Sequence, residues 1–402
     1  MLKTLPVFYV SCFFAFVAGH TMNYSAILYS LEMFESSAVA GIAYGLCFGP
    51  PLILGWVAGA YIDRYGAKNM LLLGQCFFLI ASIGILPLSL FIQTLDTPSF
   101  FTLVSFLLLH GIIGCAWAFV APSRMAVLAQ YVQHERLHQA TILFNLLIMV
   151  GFGIAPVLLT WVLATWDWKG VYTMALSMFL ISTILLAKAP KHVSIGAKVK
   201  SMKEEWRACF AMIRAEPILI QLLIAAMIGY LAMGPLQVLL PQIAQQYLGL
   251  DALGQGRYLG LIAISLVVGG LIAMKLRDRI PVGQGVLWTL ALTGIGILLT
   301  SNIHTLWPNA ICLLLGMTFG GMGVSFIVAG LQHFAPQEVR GRIMSMYTMI
   351  SQVIPAAAGT LAGVFAQISS PQLSLSVIAL LLIAAALLLA KQGQALRAFK
   401  AF

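Results

Sequence analysis

Twelve stretches of mostly apolar residues, each roughly twenty long, run through this chain, and they leave few folds open. They cover residues 6–31, 38–61, 69–92, 100–120, 140–165, 170–189, 217–241, 257–274, 283–301, 308–331, 343–366 and 372–390. An α-helix needs about twenty such residues to cross the hydrocarbon core of a bilayer. A transmembrane β-strand needs only about ten, and it alternates polar with apolar. Composition closes the other routes. Only 8% of the 402 residues are charged and 61% are hydrophobic, whereas a soluble domain carries about 25% charged residues. A surface facing water cannot be built from so few, and an unfolded chain would not be so apolar. The expectation is an all-α membrane protein with twelve transmembrane helices.

The charges test that topology. With both termini placed in the cytoplasm, 20 of the 22 Lys and Arg residues fall in inner segments, among them Arg124 and Arg136 between spans four and five. Only Lys169 and Arg257 fall outside. Cytoplasmic loops accumulate Lys and Arg, so the asymmetry supports both the number of spans and their direction. The net charge of +10 is thereby explained without a nucleic-acid partner. No formally charged side chain is expected near the middle of a span; Glu32, at the outer end of the first, comes nearest. The N-terminus has the look of a secretory signal, with Lys3 and the small residues Ala18-Gly19, but its apolar stretch continues through Leu31. That is too long for a cleaved signal, so no cleavage is expected. Five of the six cysteines lie in spans and Cys209 lies in an inner loop, so no disulfide is expected. The spacing of Cys and His suggests no metal site, and no cofactor motif is present.

One long polar stretch, about 188–216, divides the chain into six spans and six. Within it Val199, Met202, Trp206, Phe210 and Ile213 recur at helical spacing beside Lys203, Glu204 and Arg207. This pattern suits an amphipathic helix lying on the inner membrane surface. Three parts result: an N-terminal bundle over 1–189, a linker over 190–216 and a C-terminal bundle over 217–402. The halves echo each other weakly. Gly59-Ala-Tyr-Ile-Asp63-Arg64-Tyr-Gly66-Ala-Lys68 follows span two, and Gly270-Leu-Ile-Ala-Met-Lys275-Leu-Arg277-Asp278-Arg279 follows span eight. Gly151-Phe-Gly153-Ile-Ala155-Pro156 in span five answers Ile354-Pro355-Ala-Ala-Ala-Gly359 in span eleven.

Two six-span halves with Gly59, Asp63, Arg64, Gly66 and Lys68 after span two resemble the major facilitator superfamily over the whole chain. The stretches Glu135-Arg136-Leu137-His-Gln-Ala140, Leu239-Leu240-Pro241 and Pro336-Gln-Glu338-Val-Arg340-Gly341-Arg342 are similar to its enterobactin-exporter-like efflux branch. The resemblance implies two six-helix bundles that rock about a central path. It also implies a gating role at the cytoplasmic side for Gly59, Asp63, Arg64, Gly66 and Lys68, with Asp278, Arg279, Arg340 and Arg342 as their partners or counterparts. Charge-assisted contacts there would hold one conformation closed. The plainer reading of these basic residues is a topological anchor. Efflux members carry a Gly-Pro signature in span five; here Ala155 stands for one of its glycines and Leu159-Thr160 for a later pair.

In the resembled fold, spans one, four, seven and ten line the path, and their polar residues are the substrate candidates. Span one offers His20, Asn23 and Tyr24 on one helical face. Span four offers His110 and, seven residues on, Trp117; span seven offers Gln221, Tyr230 and Gln237; span ten offers Thr318, Met322 and Ser325. The resembled branch often has Asp where His20 stands and Arg where His110 stands. Histidine changes charge near neutral pH, so His20 and His110 are the candidates for proton coupling. Either could instead be a structural hydrogen-bonding group.

A lining of this kind suits an amphipathic solute and offers no counter-ion to a strongly charged one. The expected function is secondary active transport of a small molecule, siderophore-like or drug-like, by a monomer in the inner membrane, coupled to protons and directed outward. Uptake of a nutrient or ferric siderophore, or flipping of a lysolipid, are the alternatives. An ATP-driven pump would need a GxxxxGK[ST] loop, which the sequence lacks. No set of nucleophile, base and orienting group suggests an enzyme.

Overall fold

The computed structural model describes residues 4–133, 136–188, 211–276, 279–336 and 339–399. Among them there is no β-strand. Eleven helices are long and apolar enough to cross a membrane. In order the chain forms α1 (Thr4–Met33), α2 (Ser37–Phe48), α3 (Pro51–Tyr65), α4 (Ala67–Ile92), α5 (Phe100–Tyr131) and α6 (Leu137–Lys188). It continues with α7 (Pro217–Tyr230), α8 (Met233–Gln246), α9 (Ala252–Leu276), α10 (Val282–Asn302), α11 (Leu306–Phe334), α12 (Arg340–Ile368), α13 (Pro371–Gln392) and the short α14 (Gln394–Ala398).

The span of 52 residues in α6 accounts for the count of eleven. A straight helix of that length would measure about 78 Å, far more than a core of about 30 Å. It breaks at Asp167, whose φ of 56° and ψ of −169° are not helical. The Asp167 carboxylate accepts the Trp168 backbone N–H at 2.7 Å, which helps hold the turn. With two crossings in α6 the total becomes twelve.

Two expected spans are each made of two helices. Pro50-Pro51 interrupts span two, since proline supplies no N–H to the preceding turn. Span seven breaks at Leu231-Ala232, where Pro235 cannot bond back to the Leu231 carbonyl. Helix starts are capped by serine where the chain leaves a loop. Ser36, Ser99 and Ser370 accept the N–H of Val39, Thr102 and Leu373 at 3.2, 3.2 and 3.1 Å. Large apolar side chains such as Ile53, Leu108 and Leu361 point outward, as a lipid-facing surface requires. The five described cysteines are free thiols.

The chain forms two compact units: Met1–Ala197 with Leu250–Gly260, and Lys198–Gly249 with Leu261–Phe402. In the first, α1 packs along α6, and α4 packs between α5 and α6. Gly114 of α5 lies so close to α2 that a Cβ there would overlap the Leu46 carbonyl oxygen. In the second, α10 packs on α11 and α13, and α8 packs on α12. There Gly234 lies against Pro355 and Gly359. Small residues at such crossings let helices approach closely in lipid. The segment 250–260 departs from the expected boundary at 217. Gly256 brings it against Pro156 and Thr160 of α6, inside the first unit. Most of the expected linker helix, over 189–210, lies outside the described residues.

Candidate functional site

The first unit contains an antiparallel seam between α1 and α5. Four α5 residues face it at intervals of seven: His110, Trp117, Arg124 and Tyr131. Trp117, Arg124 and Tyr131 each meet a different level of α1, and His110 is linked to it through Phe106. The ring of Phe106, stacked on Tyr29 at 5.4 Å, lies 4.2 Å from that of His110. Trp117 covers Gly19 so closely that a Cβ there would approach its ring to 2.5 Å. Its ring stacks on Phe16 at 6.3 Å and lies 5.7 Å from His20. Arg124 reaches Cys12 and Phe16, and Tyr131 meets Phe8 edge-on at 5.7 Å.

Phe152 of α6 closes the other side, 5.4 Å from the His20 ring and 5.9 Å from the Tyr24 ring. His20, Tyr24 and Trp117 are therefore brought together around Phe152 and Phe16, and Asn23 lies next to Tyr24 on α1. They are buried: His20 is 8% exposed, Asn23 and Tyr24 1% each, and Trp117 7%. Their polar atoms have no hydrogen-bond partner. These are His20 Nε2, Asn23 Nδ2 and Oδ1, the Tyr24 hydroxyl and Trp117 Nε1. A buried polar group without a partner costs about 1–3 kcal/mol, so a cluster of them among aromatic rings is a costly arrangement.

The two histidines do not share a site. His110 belongs to the Tyr29–Phe106 cluster, where Nδ1 lies 2.8 Å from the Phe106 carbonyl oxygen. A carbonyl only accepts, so Nδ1 carries the hydrogen and Nε2 is left without a partner.

Arg124 corrects the sequence analysis on one point. It is expected in a loop after span four, but α5 continues through Tyr131 and buries it: it is 1% exposed, about 10 Å along the helix from the end of α5. The helix runs on through Pro122 and past the polar Ser123-Arg124 pair, against local propensity, with Ser123 and Arg124 both buried in the packing. The seven-residue spacing from His110 was the available signal. Phe152 and a buried network were missed as well. In that network Ser11 and Ser182 exchange hydroxyl-to-carbonyl bonds at 2.9 and 2.8 Å, and Gln75 donates to Ser182 Oγ at 2.8 Å.

In the second unit the candidates are engaged separately. Tyr230 and Tyr347 hydroxyls lie 2.8 Å apart. Gln221 Oε1 accepts the Leu396 N–H of α14 at 2.7 Å. Gln237 donates to the Met233 carbonyl of its own helix at 3.4 Å. Thr318 and Met322 present their backbone to Gly269 of α9. Ser325 donates to the Gly321 carbonyl at 2.9 Å and lies beside Gly270.

At the loop motif, Gly66 has a φ of 87° and joins α3 to α4. Lys68 is buried and its Nζ donates to the Ala187 carbonyl at 3.0 Å. A cation at the last carbonyls of α6 suits the helix dipole. Arg64 lies over the Tyr65 ring at 5.3 Å, and Gly59 lies on an exposed face of α3. Arg340 bonds to the Ala335 carbonyl at 3.2 Å, and Arg279 is exposed. Arg342 lies on the first turn of α12. The Asp63 side chain and residue Asp278 lie outside the described residues.

The Major Facilitator Superfamily pattern matches residues 8–360. The chain belongs to that family; it is a multi-pass membrane transporter and not an enzyme. Chloramphenicol resistance protein CraA of Acinetobacter baumannii is 27% identical over 355 residues, 84% of this chain and 80% of that protein. A bacterial homologue of the iron transporter ferroportin, solved inward-facing, superposes with a TM-score of 0.79 at 15% identity, covering 98% of this chain and 99% of that one. A bacterial homologue of the human lysosomal transporter Spinster, inward-facing and unoccupied, gives 0.77 at 14%, covering 99% and 97%. At such identities these two structures share the fold.

Proposed function

We propose that this protein is a secondary active transporter that exports an amphipathic small molecule, drug-like or siderophore-like, by alternating access in exchange for protons. The observation that supports this reading is the cluster of His20, Tyr24 and Trp117 among aromatic rings, with Asn23 beside it on α1, all with buried polar atoms that lack partners. An amphipathic solute supplies both the apolar surface and the few hydrogen bonds such a cage asks for. The relative named for chloramphenicol resistance supports the outward direction. Tyr230, Gln237, Thr318, Met322 and Ser325 of spans seven and ten are assigned to substrate contact in the second unit. His20 and His110 are assigned the proton. The loop around Asp63, Arg64 and Lys68 is assigned the cytoplasmic gate. The enterobactin-exporter-like branch, the inner membrane and cytoplasmic termini belong to the same reading.

Chloramphenicol is the first probe. Cells expressing the protein should accumulate severalfold less of it while their proton gradient is intact, and the difference should vanish when the gradient is collapsed. Greater accumulation would reject export. Replacing His20 with Gln should leave expression and folding unchanged and flatten the pH dependence of transport; an unaltered pH profile would remove His20 from the proton path.

A further inference from the structure

Arg124 is a cation sealed inside the first unit with the N–H groups of two of its three nitrogens unused. Its Nη1 donates to the Cys12 carbonyl at 3.2 Å. The Phe16 ring lies 4.7 Å from its guanidinium carbon, a cation–π contact that covers one face of the plane. Nε and Nη2 have no hydrogen-bond partner and are shut off from solvent. These two nitrogens form one edge of the guanidinium, and that edge is the fork that takes a carboxylate or phosphate through two parallel bonds. A cation buried in the protein with that edge unmatched is expensive, since buried charges are as a rule paired and hydrogen-bonded. Lysine in its place could not offer the fork.

We propose that the Nε/Nη2 edge of Arg124 is an oxyanion site, which takes the carboxylate or phosphate of a solute whose apolar body lies along the α5 stripe toward Trp117. The proposal rests on the transporter reading and extends it to anionic amphiphiles. Arg124 and Trp117 lie seven residues apart, about 10 Å along α5, so a solute about that long would reach both. In the conformation described the fork is closed, so the anion enters only when α1 and α5 separate.

The test uses purified full-length protein in detergent and two matched probes, pyrenebutyrate and its uncharged amide. The wild type should bind the carboxylate about tenfold tighter than the amide, the difference a charge-assisted pair typically makes. In Arg124→Gln that preference should disappear while amide binding persists; Arg124→Lys should keep part of it. Persistent amide binding shows that the variant is folded, and a purely structural role for Arg124 would leave the preference intact. Inorganic phosphate competing with pyrenebutyrate in the wild type only would assign the site to small ions as well; no competition would reserve it for amphiphiles. Equal or absent binding of the carboxylate by the wild type, or a preference surviving in Arg124→Gln, would overturn the site. The chloramphenicol assay is independent of this outcome, so the two readings can fail separately.

Discussion

The two units treat their buried polar groups differently. Among the described residues, every buried side-chain nitrogen or oxygen without a partner belongs to the first unit. In the second, such groups are matched. Asn309 donates to the Thr300 and Ile303 carbonyls at 2.7 and 2.6 Å, Ser301 and Ser376 hydroxyls lie 2.9 Å apart, and Tyr230 meets Tyr347. A membrane interior offers no water to make up a missing bond, so matching is the default there. The α1–α5 seam forgoes that stability, and what it keeps is the capacity to bond something else. On the proposed function, the unmatched groups of the first unit are the ones left to bond a solute.

The largest expected effect leaves that contrast aside. Gly114→Leu in the first unit and Gly234→Leu in the second each place a side chain on a neighbouring helix backbone. Both should lose about 3 kcal/mol by overpacking, seen as a fall in melting temperature in detergent. Similar losses would show that helix contact is equally tight in both units. Asn23→Leu is the sharper test. Removing a buried amide with neither of its groups satisfied should raise stability by about 2 kcal/mol and reduce transport strongly. A loss of stability would mean the amide is bonded after all and would dissolve the contrast. Smallest is Tyr230→Phe, which strands the Tyr347 hydroxyl and should cost about 1 kcal/mol. A gain there would show that the second unit also carries unfavourable polar groups.

Much of the fold was legible because a bilayer imposes a local rule. Apolar length alone located the crossings, and Asp167 breaks α6 between the fifth and sixth expected spans. Prolines 50, 51, 156, 235, 241 and 355 suggest interruptions; the helices break beside the first two and beside Pro235, whereas Pro156, Pro241 and Pro355 lie inside continuous helices. The limit of such reading shows at Arg124. A hydropathy pattern ends a span where charge begins, whereas α5 keeps its helix and buries the charge against Cys12 and Phe16. The candidate site was legible in half. His20, Asn23, Tyr24 and Trp117 are polar residues of spans that the resemblance places along the path, and His20, Tyr24 and Trp117 do gather. Gln221, a polar residue of span seven, is bonded to a C-terminal segment 175 residues away, which no periodicity could indicate.

The number of crossings and the helical class follow from the sequence alone, because in lipid each helix satisfies its own backbone and needs no partner to be recognised. Which polar groups find partners is a different kind of property. It depends on side chains brought together from α1, α5 and α6, far apart in the chain, and only the tertiary structure decides it. The tertiary structure is what turned Arg124 from a loop charge into a buried fork, and His20 and His110 from a pair into members of two separate clusters.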